Sequence, residues 1–207
     1  MALRFMAINV FVSYYGPHRR RMHKHHGEPP PINQYLCRTK NRTAVATFSE
    51  LGVSDKLIKG LNELGIFEPT EIQEKSFPYL MEKGTDFIGQ AQTGTGKTAA
   101  FSLPVLQQLD ETSRNIQSIV ICPTRELCLQ IATDMQKFAK FMDLKTVAVY
   151  GGTSIEGQIR DIKRGAQVII GTPGRTVDLI NRRILKLDNV NFVVLDEADE
   201  MLTMGFK

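Results

Sequence analysis

From Phe48 onward the chain shows two alternating hydrophobic periods. Leu57, Ile58, Leu61 and Leu64 recur at helical spacing between Ser54 and Gly65, which predicts a helix capped by Ser54 and stopped by Gly65. Pro69-Thr70-Glu71-Ile72-Gln73 opens a second helix, in which Thr70 and Gln73 have the spacing of a capping box. Short β-branched or apolar runs at 86–91, 118–122, 145–150, 167–171 and 192–196 read as strands. Helical patterns over 97–109, 125–141, 155–164 and 176–181 fill the gaps between them. This alternation predicts an α/β fold, a mainly parallel sheet with helices on both faces. Ligands of such sheets bind beyond the carboxyl ends of the strands. Every polar motif in the chain falls just after a predicted strand.

The first 45 residues break the pattern: they gather Pro29-Pro30-Pro31 and all four histidines, with no sustained period, and read as a disordered basic tail. The histidines (His18, His23, His25, His26) lack the supporting groups of a metal site and read as solvated. The short apolar run behind Arg4 has no small-residue cleavage site after it, so it does not read as a signal peptide. A start further downstream, with these residues outside the native protein, is the other reading of the tail.

Charge changes the picture once it is located. Of 26 Lys and Arg, eight precede residue 46 against one of 22 acidic residues, so the tail carries +7 and the remainder −3 of the net +4. Overall basicity therefore argues nothing about nucleic acid, and any such claim rests on local sites. The 207 residues, 42% hydrophobic and 23% charged, suit a soluble α/β domain, and no apolar run approaches the roughly 20 residues of a membrane span. Cys37, Cys122 and Cys128 show neither metal-ligand spacing nor a disulfide framework, which points to a reducing, cytoplasmic setting. Cys122, at the end of an apolar run, reads as a small buried hydrophobe.

The octet Ala91-Gln92-Thr93-Gly94-Thr95-Gly96-Lys97-Thr98 carries the strongest chemistry. Its glycines let backbone N–H groups converge on phosphate oxygens, Lys97 brings a charge to the β and γ phosphates, and Thr98 offers a hydroxyl to Mg²⁺. A helix starting near Lys97 adds the positive end of its dipole. The apolar run Phe192 to Leu195 leads directly into Asp196-Glu197, which sets one carboxylate where Mg²⁺ would sit and another where a water could be oriented. Capping of the following helix is the alternative role for these acids.

With Asp196-Glu197-Ala198-Asp199 in place, the chain resembles the DEAD-box RNA helicases over Phe48 to Phe206, within their first RecA-like domain. The resemblance implies ATP and Mg²⁺ as cofactors: Lys97 and Thr98 on phosphate and metal, Asp196 holding the metal through water, Glu197 activating the hydrolytic water, and Asp199 coupling the nucleotide to the rest of the machine. It implies an adenine-recognition segment over 46–74, with Gln73 on the adenine edge and Phe48 packing by the base, ahead of the RecA-like domain at 75–207. Gln73 is also half of the capping box, so the two roles compete. Ile66 departs from the family pattern, which has a stacking aromatic there; Phe67 is adjacent.

For RNA, the resemblance points to Pro123, Thr124, Arg125 and Glu126, to Gly151 and Gly152, and to Thr172, Pro173, Gly174 and Arg175. Glycines and helix starts after strands expose N–H groups to backbone phosphates, which implies sequence-independent binding. Taken singly, these are also ordinary turn signals and ion-pairing arginines. A second RecA-like domain, which in the family supplies an arginine to the transferring phosphoryl group, is missing, as are the strands expected after the tetrad. These residues alone are therefore expected to bind ATP weakly, barely hydrolyse it, and leave a sheet edge open. The expected activity is ATP-dependent RNA unwinding by the longer protein; a nucleotide-responsive RNA-binding module without turnover is the alternative. A GTPase or transporter ATPase fits less well, for neither an Asn-Lys-x-Asp nor a Leu-Ser-Gly-Gly motif is present.

Overall fold

A computed structural model describes residues 9–14, 34–36, 46–81, 87–91 and 94–205. The histidines, Cys37, Gln92 and Thr93 lie outside the described residues. The strands are β1 (Asn9–Tyr14), β2 (Gln34–Leu36), β3 (Phe87–Gln90), β4 (Ser118–Ile121), β5 (Thr146–Val149), β6 (Val168–Gly171) and β7 (Phe192–Leu195). The helices are α1 (Asp55–Glu63), α2 (Glu71–Met81), α3 (Lys97–Gln107), α4 (Arg125–Phe138), α5 (Ile155–Lys163), α6 (Pro173–Asn181) and α7 (Ala198–Thr203). No helix among the described residues is long and apolar enough to cross a membrane.

The strands form one sheet in the order β2-β3-β1-β7-β4-β6-β5. Strands β7, β4, β6 and β5 are parallel, and β2 is parallel to β3. Strand β1 is antiparallel to both of its neighbours, with Phe11 opposite Ile88 on β3 and Leu195 on β7. β3 therefore runs the same way as β7, and their carboxyl ends share one edge. Asn9–Tyr14 and Gln34–Leu36 lie in the stretch expected to be disordered, and for these residues the structure corrects that expectation. The run Val10-Phe11-Val12 has high strand propensity, and the slot between β3 and β7 satisfies backbone groups on both of its sides.

Period-two alternation divides the core. Val120, Val168 and Ile170 face the cluster that Leu57, Leu61, Phe101, Ile131 and Met135 complete, while Ile119, Val147 and Ile169 face the cluster holding Ile162 and Leu179. Helices α1 to α4 thus cover one face and α5 and α6 the other. Burying each such side chain contributes roughly 1.5–3 kcal/mol. Two contacts bring the helices close enough for this packing. Gly60 of α1 meets the Phe138 carbonyl so closely that a Cβ would collide with it. Pro104 inside α3 has no N–H for the carbonyl of Ala100, and the Ser76 hydroxyl of α2 donates to that oxygen instead at 3.2 Å.

Helix α6 ends with Arg183 at φ +57; the Ile184 N–H reaches back to the Leu179 carbonyl at 3.0 Å. That is the left-handed stop at which glycine is the unstrained choice, and an L-residue there costs about 1–2 kcal/mol.

Candidate functional site

Five strands deliver the predicted motifs to one edge of the sheet. Across that edge stand the phosphate loop after β3, the tetrad after β7, Pro123–Glu126 after β4, Thr172–Arg175 after β6 and Gly151–Gly152 after β5. Strand β1 separates the phosphate loop from the tetrad, so the backbones of β3 and β7 lie about 9–10 Å apart.

The phosphate loop turns through Gly94 at φ +78 and Gly96 at φ +85, and α3 starts directly at Lys97. A Cβ on Gly96 would collide with the Gln73 side-chain amide. Gln73, 4% exposed, uses both ends of that amide: its Oε1 accepts from the Thr70 N–H and its Nε2 donates to the Gly96 carbonyl, each at 3.0 Å. Half of the capping box is therefore formed, while the buried Thr70 hydroxyl has no partner among the described residues. Gln73 joins the start of α2 to the phosphate loop by a direct hydrogen bond. Phe48 is 3% exposed, inside the main core; Ile66 packs on that core and Phe67, 66% exposed, faces solvent.

At the tetrad, the Asp196 N–H donates to the Ile121 carbonyl at 2.9 Å and Asp196 Oδ1 accepts from the Glu197 N–H at 3.1 Å. Asp196 is 4% exposed. Glu197 adopts φ 53, ψ 46 at the start of α7, a left-handed conformation costing about 1–2 kcal/mol in a residue with a Cβ. Burial pushes the Asp196 carboxyl above its ordinary pKa, opposed by the Lys97 charge and the Glu197 N–H. Glu197 is raised by burial, by its hydrogen bond with Glu200 and by the Asp196 charge. Burial lowers the Lys97 pKa, while Asp196, Glu197 and Asp199 raise it. The Lys97 ammonium and the tetrad carboxylates thus feel one another's charge at a partly desolvated edge, which a divalent cation would complement. Thr98 is half-buried on the turn of helix that Lys97 begins.

The remaining loops are knitted to one another. The Thr124 hydroxyl caps α4 by accepting the Leu127 N–H at 3.2 Å, and the Arg125 guanidinium lies 4.8 Å from the Tyr150 ring centroid. Arg175 donates to Gln158 Oε1 at 2.8 Å and to the Thr153 carbonyl at 3.1 Å. Gln158 Nε2 in turn donates to the Tyr150 carbonyl at 3.0 Å and to the Thr153 hydroxyl at 3.1 Å. Gly151, Gly152 and Gly174 are exposed, whereas Pro123 is buried behind the exposed Arg125 and Glu126. Cys122 and Cys128 are wholly buried beneath this loop, and a hydrogen bond to Cys128 together with burial raises the Cys122 thiol.

Tyr150, Thr153 and Gln158 were not among the sequence-predicted site residues. Gln158 did carry a signal: it lies on the Ile155, Ile159, Ile162 side of α5, and a polar side chain on a buried face needs partners.

The profile of the DEAD/DEAH box helicases matches residues 70–207. The ATP-dependent RNA helicase CshA of Listeria monocytogenes is 53% identical over 159 residues, covering 77% of this chain and 30% of the relative. The DEAD-box ATP-dependent RNA helicase CshA of Bacillus cereus is 50% identical over 162 residues, covering 78% and 31% respectively. The chain thus spans about 30% of the length of these relatives. Among solved structures, a DEAD box protein of Methanococcus jannaschii superposes with TM-score 0.70 at 38% identity, over 79% of this chain and 45% of that one. Saccharomyces cerevisiae Dbp5 bound to RNA and ADP BeF3 superposes with TM-score 0.69 at 36% identity, over 75% and 39%.

Proposed function

The chain belongs to the DEAD/DEAH box helicase family, and from that premise we propose that it is the ATP-binding part of an ATP-dependent RNA helicase, coupling Mg²⁺-dependent ATP hydrolysis to local duplex unwinding. The observation that carries this reading is the placement of the phosphate loop with Lys97 and of the tetrad with Asp196 and Glu197 on the same sheet edge as the loop network, near enough that the acids raise the Lys97 pKa. Lys97, with the N–H groups of the turn before it, binds the phosphates. Ala91, Gln92, Thr93, Gly94, Thr95 and Gly96 form the turn, and Gln73 meets the adenine edge once its amide leaves Thr70 and Gly96. Phe67 offers the exposed ring nearest that segment.

The donor set fits Mg²⁺: a buried carboxylate on Asp196 and the Thr98 hydroxyl are hard oxygen ligands, and Asp196 carries a desolvation penalty that a divalent cation would relieve. When bound, Mg²⁺ supplies charge stabilisation at the phosphate oxygens. Glu197, raised by burial and held in one rigid conformation, accepts the proton of the attacking water. Asp199 senses the same site through Lys97.

The RNA strand lies across Pro123–Glu126, Gly151–Gly152 and Thr172–Arg175. Exposed N–H groups and arginines hold its sugar–phosphate backbone without reading bases. Turnover also draws on an arginine presented to the transferring phosphoryl group, a contribution worth ~10³–10⁵ in rate.

The test is RNA-stimulated ATP turnover by the full-length gene product. Stimulation that Glu197→Gln abolishes supports the reading. RNA binding that responds to nucleotide without any turnover would leave a binding module instead.

A further inference from the structure

The edge opposite the site, where β4 and β6 begin and α5 and α6 end, carries an open groove of about 410 Å³. Arg114, Lys163, Arg164 and Lys186 line it together with Asn115 and Asn189, and among the described residues no carboxylate lines it. Those four cations are gathered in a body that otherwise carries excess negative charge. Arg114 and Arg164 each contact one aspartate, Asp143 at 3.1 Å and Asp161 at 3.2 Å, in pairs exposed enough to exchange for another anion. A second observation points the same way. Arg183 keeps an arginine where the left-handed backbone favours glycine, beside the groove residue Ile184.

We propose that this groove is a second RNA-contact surface, which holds the sugar–phosphate backbone of a strand leaving the loop-lined edge. The cations meet phosphate oxygens, and the amides of Asn115 and Asn189 donate to phosphate or 2′-hydroxyl oxygens. No aromatic residue lines the groove, so contact is independent of base sequence. An acidic protein segment is the less favoured partner: Ile116 and Ile162 are 8% and 7% exposed, which leaves the half-buried Ile184 as the groove's main apolar contact beside four cations. The inference rests on the proposed reading only in taking RNA as the polyanion.

The test is fluorescence anisotropy with a single-stranded RNA of mixed sequence, measured across a salt series. It compares the chain, Lys163→Gln/Lys186→Gln, its conservative counterpart Lys163→Arg/Lys186→Arg, and the loop variant Arg125→Ala. Both lysines are exposed, so the fold is retained. The glutamine pair weakens binding at least about fivefold at low salt and lowers the slope of log affinity against log salt by about 1.4, as loss of two single-strand phosphate contacts requires. The arginine pair keeps both. A glutamine pair equal to wild type in affinity and slope while Arg125→Ala binds poorly overturns the groove and leaves the proposed function standing. Loss in the glutamine pair with none in Arg125→Ala supports the groove and counts against the loops. Absence of RNA binding by the unaltered chain overturns the groove as well.

Discussion

The two halves of the site edge are prepared by opposite means. Around β3 and β7, the backbone does the positioning: Gly94, Gly96 and Glu197 hold left-handed turns, and the ionisable groups are left electrostatically unbalanced. Around β4, β6 and β5, side chains do it: Gln158, Arg175 and Thr153 bond to one another and to the Tyr150 carbonyl, while Thr124 caps α4. The first arrangement concentrates charge, and the second presents a hydrogen-bonded surface. Pre-formed hydrogen bonding suits a repetitive polymer backbone, and unmet charge suits a triphosphate with its cation.

The largest effect in the first half belongs to Gly96→Ala. The left-handed backbone adds about 1–2 kcal/mol of strain, and the new Cβ displaces the Gln73 amide from the turn. Nucleotide affinity falls at least about tenfold while RNA affinity holds, which calorimetry and anisotropy measure separately. In the second half, Gln158→Ala strips partners from Arg175, Thr153 and the Tyr150 carbonyl. A loss of about 1–3 kcal/mol in stability follows, with RNA binding reduced and nucleotide binding intact. If Gln158→Ala lowered nucleotide affinity as much as Gly96→Ala does, the division into halves would fail.

Smaller changes sharpen the contrast. Thr124→Ala removes the α4 cap and costs about 1 kcal/mol, seen as a lower melting temperature with a modest loss of RNA affinity. Away from both halves, Glu111 provides a control. Its hydrogen bond to Lys56 and one from the Asp143 N–H hold its pKa below the ordinary value. A lowered folded pKa contributes stability above the unfolded value and loses it as pH falls through the folded one. Glu111→Gln should therefore melt slightly lower than the wild type at neutral pH, with the difference vanishing at acid pH and ligand binding unchanged at neutral pH.

Much of this division was legible in the residue pattern. Five strand positions and the helices α1 to α6 follow from periodicity, with ends shifted by a few residues, because both core faces demand continuous apolar stripes. α6 starts at Pro173 rather than Thr176, since proline is well placed in a first helical turn. The amino-terminal strands were not legible: nothing in Val10-Phe11-Val12 specifies which strands it joins, and a long-range pairing of this kind is set by the vacancy it fills. Residue types at the site could be read from the order of motifs. The half-used capping box at Gln73, the left-handed Glu197 and the Gln158 network depend on contacts between segments far apart in sequence.

The central claim is that Lys97 and the Asp196–Glu197 pair enclose a nucleotide triphosphate with its metal. Titrating a fluorescent ATP analogue with Mg²⁺ into the chain and into Lys97→Ala tests it most directly. Saturable uptake by the first, weakened at least about tenfold in the second, is the predicted result. Equal uptake by both, or none by either, would contradict it.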